Sequence, residues 1–207
     1  MPAYYYHPDR RQQTYQKISD KIAGFKSKVE KSGIDIKNRD EVAKYIYDEV
    51  TKLTYDGQSY PNDYEPRAAF ERNHTIVGFV DGVTRCEGYT MAYQSLSNMY
   101  GVPTILQTGK LLFRDGGNIT GSGPHAWPIT QMGNNEWYFG DPTLDRGENA
   151  PHNYFLKGQG DKSPSGFLYV HEINPDVIYP ECAIKDYPVP VRSMQASVSQ
   201  TAAAPRM

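Results

Sequence analysis

The 207-residue sequence predicts an α+β domain, with helices first and an antiparallel sheet second. Apolar residues recur at helical spacing through the first hundred positions. After Pro103 the pattern changes to short extended runs divided by Gly- and Asn-rich turns. There are no internal repeats, and the length suits one domain with extensions.

Residues 1 to about 12 read as a polar lead-in, with Pro2 and Pro8 opposing a helix. Tyr15, Ile18, Ile22, Phe25 and Val29 then predict a helix from Thr14 to Lys31, stopped by Gly33. A second helix starts at Asn38 or Asp40, either able to cap it, and carries Val42, Tyr45, Ile46 and Val50. "YDGQSYPNDYEP" reads as a surface loop, and "AAFERNHTIVGFVDG" as a short helix or turn with a loop. Met91, Ala92, Leu96, Met99 and Tyr100 place one apolar face on a helix beginning near Cys86 and ended by Gly101 and Pro103. "TILQTGKLLF" and "HAWPITQM" read as strands separated by the glycine-rich loop "RDGGNITGSGP". "NEWYFGDPT" is a third strand, joined to the second by the tight turn "GNN". "FLYVHEINPD" is a further extended piece. The organisation is an N-terminal helical extension over 1–37, the main domain over 38–187, and a disordered tail over 188–207.

Composition narrows the function classes. A net charge of -2 gives no broad electrostatic reason to bind nucleic acid, and no apolar run suits a membrane span, so neither partner is expected. The N-terminus lacks the apolar stretch of a signal peptide, which by sequence reads as cytoplasmic. Two cysteines, Cys86 and Cys182, are too few for a disulfide scaffold, although one bridge between them stays open. Neither has a metal-ligand partner at short spacing, and the five histidines (His7, His74, His125, His152, His171) are scattered, so no metal site is expected. Calcium loops and nucleotide motifs are also missing, so no cofactor is expected.

Cys86 alone has two readings, a small core filler or a nucleophile. Its place at a helix start favours the anion, because first-turn amides and the helix dipole stabilise a thiolate. A working nucleophile also needs an imidazole oriented through its second ring nitrogen. His125 opens "HAWPITQM" and Asp141 closes "NEWYFGDPT". If those strands pair through "GNN", His125 and Asp141 become neighbours, because hairpin partners are counted outward from the turn. The spacing predicts that pair; it does not predict that the cysteine helix packs against it.

"RCEGYTMAYQSLSNMYGVP", "GPHAWPIT" and "EWYFGDPTLD" together resemble the three signature segments of the transglutaminase-like superfamily, with "HNYFLKG" and "YPECAIKDY" similar to trailing segments of its bacterial members. The resemblance covers about residues 40 to 187. It implies a papain-like, transglutaminase-core fold with the cysteine helix packed on an antiparallel sheet. By position it implies Cys86 as nucleophile, His125 as general base and acid, and Asp141 as the residue orienting His125. The implied activity is acyl transfer from protein or peptide amides through a Cys86 thioester, ending in transamidation, deamidation or hydrolysis. The alternatives are a non-catalytic binding or assembly module and a papain-like cysteine protease. The resemblance also implies export or surface display, against the N-terminal reading. Two residues depart from the pattern. Pro128 follows the Trp where Asn is common, implying an edge or bulge there, and Arg85 precedes the cysteine where a small or apolar residue is usual. Trp127, Arg85 and Tyr89 are weaker substrate-binding candidates, with packing the plainer reading for Trp127 and Tyr89. Cys182 reads as structural, and a second oxyanion donor beside the Cys86 amide is unassigned.

Overall fold

A computed structural model describes residues 8–58, 66–115, 118–147, 152–159 and 169–189. The expected lead-in over 1–7, part of the "YDGQSYPNDYEP" loop and the tail from 190 onward lie outside the described residues. Five helices and six strands follow in order: α1 (Pro8–Ser32), α2 (Arg39–Thr51), β1 (Thr54–Tyr55), α3 (Arg67–His74), α4 (Val77–Asp81), β2 (Val83–Thr84), α5 (Cys86–Met99), β3 (Thr104–Asp115), β4 (Asn118–Gln131), β5 (Trp137–Phe139) and β6 (Tyr169–Ile173). β1 and β2 form a small parallel pair. The other four make an antiparallel sheet in the order β5-β4-β3-β6, against which α5 packs through β3 and β4. The protein is an α+β domain with Cys86 leading a helix laid on that sheet.

Several boundaries differ from expectation; β5 is only Trp137–Phe139, so Asp141 follows the strand rather than closing it. Pro8 begins α1 rather than opposing it, because a proline in the first helical turn forfeits only an amide that has no intrahelical partner. Residues 118–124, expected as loop, extend β4. β3 supplies their hydrogen-bond ladder from Lys110 to Asp115, with one register shift at Phe113/Arg114. "AAFERNHTIVGFVDG" forms two short helices rather than one.

Asn38 caps α2 as expected, its side chain accepting from the amides of Asp40 and Glu41. On α5 the expected Ala92 and Leu96 are buried, and Met99 and Tyr100 pack partly buried on the core. The fully buried stripe is Tyr89, Ala92, Tyr93 and Leu96, with two tyrosines that the apolar count leaves out. These four pack with Val42, Ile46, Tyr47 and Val50 of α2, Phe79 of α4, and Met132, Tyr138, Phe155 and Leu156. Phe25 and Val29 of α1 enter the same core, Phe25 edge-on to Phe79 and Tyr100, so the last turns of α1 share the core of the domain.

The β4–β5 hairpin turns through Gly133–Asn135, with Asn135 in the left-handed region at φ 63, as the Asn-rich turn requires. Pairing runs from Gln131↔Trp137 to Ile129↔Phe139 and stops there. Pro128 therefore lies where β4 has no strand on its β5 side, a position that tolerates its missing amide, while its carbonyl still accepts from Gly140 N at 2.9 Å. Phe25→Ala should lower unfolding stability by about 3–5 kcal/mol, the cost of emptying a packed aromatic site. A urea midpoint left unchanged would show α1 to be a dispensable appendage.

Candidate active site

The β4–β5 pairing ends at Ile129↔Phe139, and the chain continues through Gly140, whose amide donates to Pro128 O, to Asp141. Asp141 has no solvent exposure and His125 is buried. His125 Nε2 lies 2.6 Å from Asp141 Oδ2. An ionised carboxylate can only accept, so Nε2 carries the proton and Nδ1 is left for the other side of the ring. The hairpin thus pairs His125 and Asp141 as the turn spacing predicts.

Several elements hold the carboxylate. Oδ1 accepts from the amides of Thr143 and Leu144, both at 3.0 Å, closing the "DPT" turn. The amide of Asp141 donates to Tyr154 O at 2.8 Å and to the Tyr47 hydroxyl at 3.2 Å. That hydroxyl in turn donates to Asp145 Oδ2 at 2.8 Å. Burial, then the negative charges of Asp145 and Asp141, push the Tyr47 pKa well up, keeping it a neutral hydrogen-bonding post.

A second histidine reaches the same carboxylate oxygen. His171 Nε2 on β6 lies 2.7 Å from Asp141 Oδ2, and its ring sits 5.6 Å from that of His125. Sequence spacing treats His171 as one of several scattered histidines; the sheet corrects this. β6 pairs with β3 at Leu111↔His171, a long-range pairing that no turn signals. Ligand atoms of His125, Asp141 and His171 lie within 4.8 Å of one another, a grouping of metal-ligating residue types absent from the sequence expectation.

Charge in the site follows from this packing. Burial disfavours a charged His125. The Asp141 carboxylate outweighs that by charge and hydrogen bond, and a hydrogen bond and charge from Cys86 add to it, raising the His125 pKa to about 10. Burial likewise works against an ionised Asp141, but His125 and then His171 hold its carboxyl well below the usual carboxylate range.

Cys86 is half-buried and free, as is the buried Cys182, so the two are not bridged. Arg85 occupies the N-cap of α5 and offers no acceptor, so its side chain does not cap the first-turn amides. Its guanidinium instead donates to the carbonyls of Asp56 at 3.2 Å and of Gln58, tethering that loop to the start of α5. Gly88 is required for close packing: a Cβ there would lie 1.8 Å from Thr84 Oγ1 on β2. Of the weaker candidates, Tyr89 is fully buried and donates to Leu53 O, which makes it a packing residue. Trp127 is buried too, stacked beside His125 and edge-on to His171, and it walls a cavity of about 340 Å³ with Gln107, Phe139 and His171.

Among the described residues, no helix is long and apolar enough to cross a membrane. No family model and no curated protein matches the sequence. Two solved structures are similar. One, described as a TGase, has 18% identity and a TM-score of 0.43 over 66% of this chain and 33% of that one. The other, described as a candidate cysteine protease from Cytophaga hutchinsonii, has 15% identity and a TM-score of 0.32 over 56% and 33%. The chain therefore spans about a third of the length of each, and alignments this loose carry nothing about the site.

The ion pair should shape stability against pH. His125 has its pKa raised from 6.5 on folding, so its contribution is complete below about pH 6.5 and is lost as pH rises towards 10. Asp141 has its pKa lowered, so its contribution is complete above about pH 4 and is lost as pH falls. Urea midpoints should be highest between those limits, and Asp141→Asn should flatten both slopes relative to the unsubstituted protein. Parallel curves would count against the pair.

Proposed function

We propose that the protein is a cysteine-dependent acyl-transfer enzyme acting on protein or peptide amides. The reading rests on one observation above the others: a buried imidazole, held at Nε2 by a buried carboxylate, whose pKa is raised partly by Cys86. At neutral pH such a histidine is an imidazolium, able to stabilise a thiolate beside it and to release a proton to a leaving amine. The resemblance of the Cys86, His125 and Asp141 segments to the transglutaminase-like superfamily supports the same roles.

In this scheme the Cys86 thiolate adds to the amide carbonyl carbon, and the carbonyl electron pair moves onto oxygen. As the oxyanion collapses the C–N bond breaks, His125 gives its proton to the departing amine, and a thioester remains on Cys86. Water or a primary amine then adds to the thioester while neutral His125 takes a proton from it. The C–S bond breaks and the thiolate returns. Water as acceptor gives hydrolysis or deamidation; an amine gives transamidation.

The oxyanion needs two donors. The Cys86 amide, first in α5, is one. Tyr55 is the candidate for the other. It pairs with Thr84, two residues before Cys86, and it keeps 39% of its surface exposed. Burial and then the charge of Cys86 raise its pKa, which keeps the hydroxyl a donor.

Mass spectrometry of the protein with a glutamine-containing peptide and a primary amine separates the outcomes. Deamidation adds about 1 Da, transamidation adds the amine less ammonia, and hydrolysis of the backbone gives fragments. Cys86→Ala should abolish every product and the thioester adduct; turnover surviving that change would sink the reading. Alkylation of Cys86 no faster than free cysteine from about pH 5 to 8 would point instead to a binding module. Tyr55→Phe should lower kcat about 10²-fold with KM little changed, and an unaltered kcat would remove Tyr55 from the oxyanion site.

A further inference from the structure

We propose that His171 is a positioning residue of this site, its Nε2–H donating to the Asp141 oxygen that also accepts from His125, so that it fixes the carboxylate's rotation and shares its charge. The proposal deepens the thiol reading and rests on it for its catalytic meaning. The geometry carries it. Oδ1 is occupied by two backbone amides and Oδ2 by two imidazoles, at 2.6 and 2.7 Å, so the carboxylate has a donor on every side. Two ligands of a tetrahedral zinc ion, each about 2.0–2.1 Å from the metal, stand about 3.3 Å apart. The contacts to Oδ2 are well inside that separation and are ordinary lengths for charge-assisted N–H···O bonds, so shared protons account for the cluster as it stands.

The fold is built to deliver this ring. A Cβ on Gly109 would lie 2.0 Å from Glu172 O and 2.9 Å from Trp127 Cη2, so glycine there lets β6 lie close against β3. The His171 ring is then held among aromatics, with centroids 4.7 Å from Trp127, 5.4 Å from Phe139 and 5.9 Å from Tyr154. The same ring lines the 340 Å³ cavity with Gln107 and Cys182, which leaves room for a substituted side chain.

An oxygen shared between two donors pulls less strongly on either. His171 therefore moderates the hold of Asp141 on His125, and its loss should make His125 more basic. The titratable groups around this cluster are His125 from β4, Tyr47 from α2 and Tyr154, Asp145 in the turn after Asp141, Cys182 and Glu172 along the cavity that His171 lines, and Cys86 from α5 acting on His125.

The test is NMR of the whole chain with ring-¹⁵N-labelled histidine. In the unsubstituted protein His171 should carry a proton on Nε2. His171→Phe should raise the His125 titration midpoint by about one pH unit, and His171→Gln, which keeps an N–H donor, should restore it. A purely structural role would leave that midpoint unmoved. An Nδ1–H tautomer at His171, or one His125 midpoint in all folded variants, overturns the proposal. Should the Phe variant fail to fold, the tautomer in the unsubstituted protein decides. Cys86 alkylation run alongside separates the two readings. A Cys86 no more reactive than free cysteine, with the expected NMR result, removes the thiol reading alone. A reactive Cys86 with the wrong tautomer removes the His171 role alone.

Discussion

The Asp141 carboxylate, ionised and without solvent exposure, is the constraint on which the rest of the structure turns. A lone buried carboxylate costs several kcal/mol, so every element near it is committed to satisfying its oxygens. The turn after β5 gives two amides, β4 gives His125 and β6 gives His171. Tyr47 ties α2 to the same turn by accepting from the Asp141 amide and donating to Asp145. Sheet, turn and helix are thereby fixed to one another through a single residue. The two oxygens divide the labour, Oδ1 closing the turn and Oδ2 setting the electrostatics of the histidines.

That division explains what the sequence disclosed and what it hid. His125 and Asp141 were legible because a two-strand hairpin is a local structure: its turn residues set the register, and counting outward places the pair. His171 was not legible, because β6 reaches β3 only through tertiary pairing, and nothing in "YVHEI" encodes which strand it joins. The close approach depends on Gly109, a signal that reads as any strand glycine until the neighbouring backbone is known. The same limit applies to β4, whose glycine-rich beginning looks like loop but is held in the sheet by β3. On α5 the helix and most of its core face are legible, and what the apolar count leaves out is Tyr89 and Tyr93, because tyrosine fills core positions while keeping a hydroxyl to place, as Tyr89 does on Leu53 O.

Arg85 shows how a departure from a motif acquires a physical role. A side chain without an acceptor at the N-cap forgoes about 1 kcal/mol of capping. By contrast, α2 has Asn38 bonded to two of its amides. At α5 the guanidinium reaches instead across to the carbonyls of residues 56 and 58, and so braces the loop that follows Tyr55. Arg85 leaves the first-turn amides of α5 uncapped by its own side chain at the helix end where an oxyanion is proposed to form, and the loss in capping is offset by the two hydrogen bonds its guanidinium makes.

The two cysteines make the closing contrast. Cys182 is buried beside Trp137, and burial pushes its thiol up to about 11 against a single opposing hydrogen bond from Gln159. An anion there would be held in a poor dielectric. Cys86 stands half-exposed at a helix N-terminus, next to a histidine whose charge is anchored by a carboxylate that cannot move. Residue type is the same in both places. What differs is the electrostatic field, and that field is set from behind His125 by the Asp141 carboxylate and the donors that hold it, so the reactivity expected of the thiol is a property of the sheet as much as of the helix that carries it.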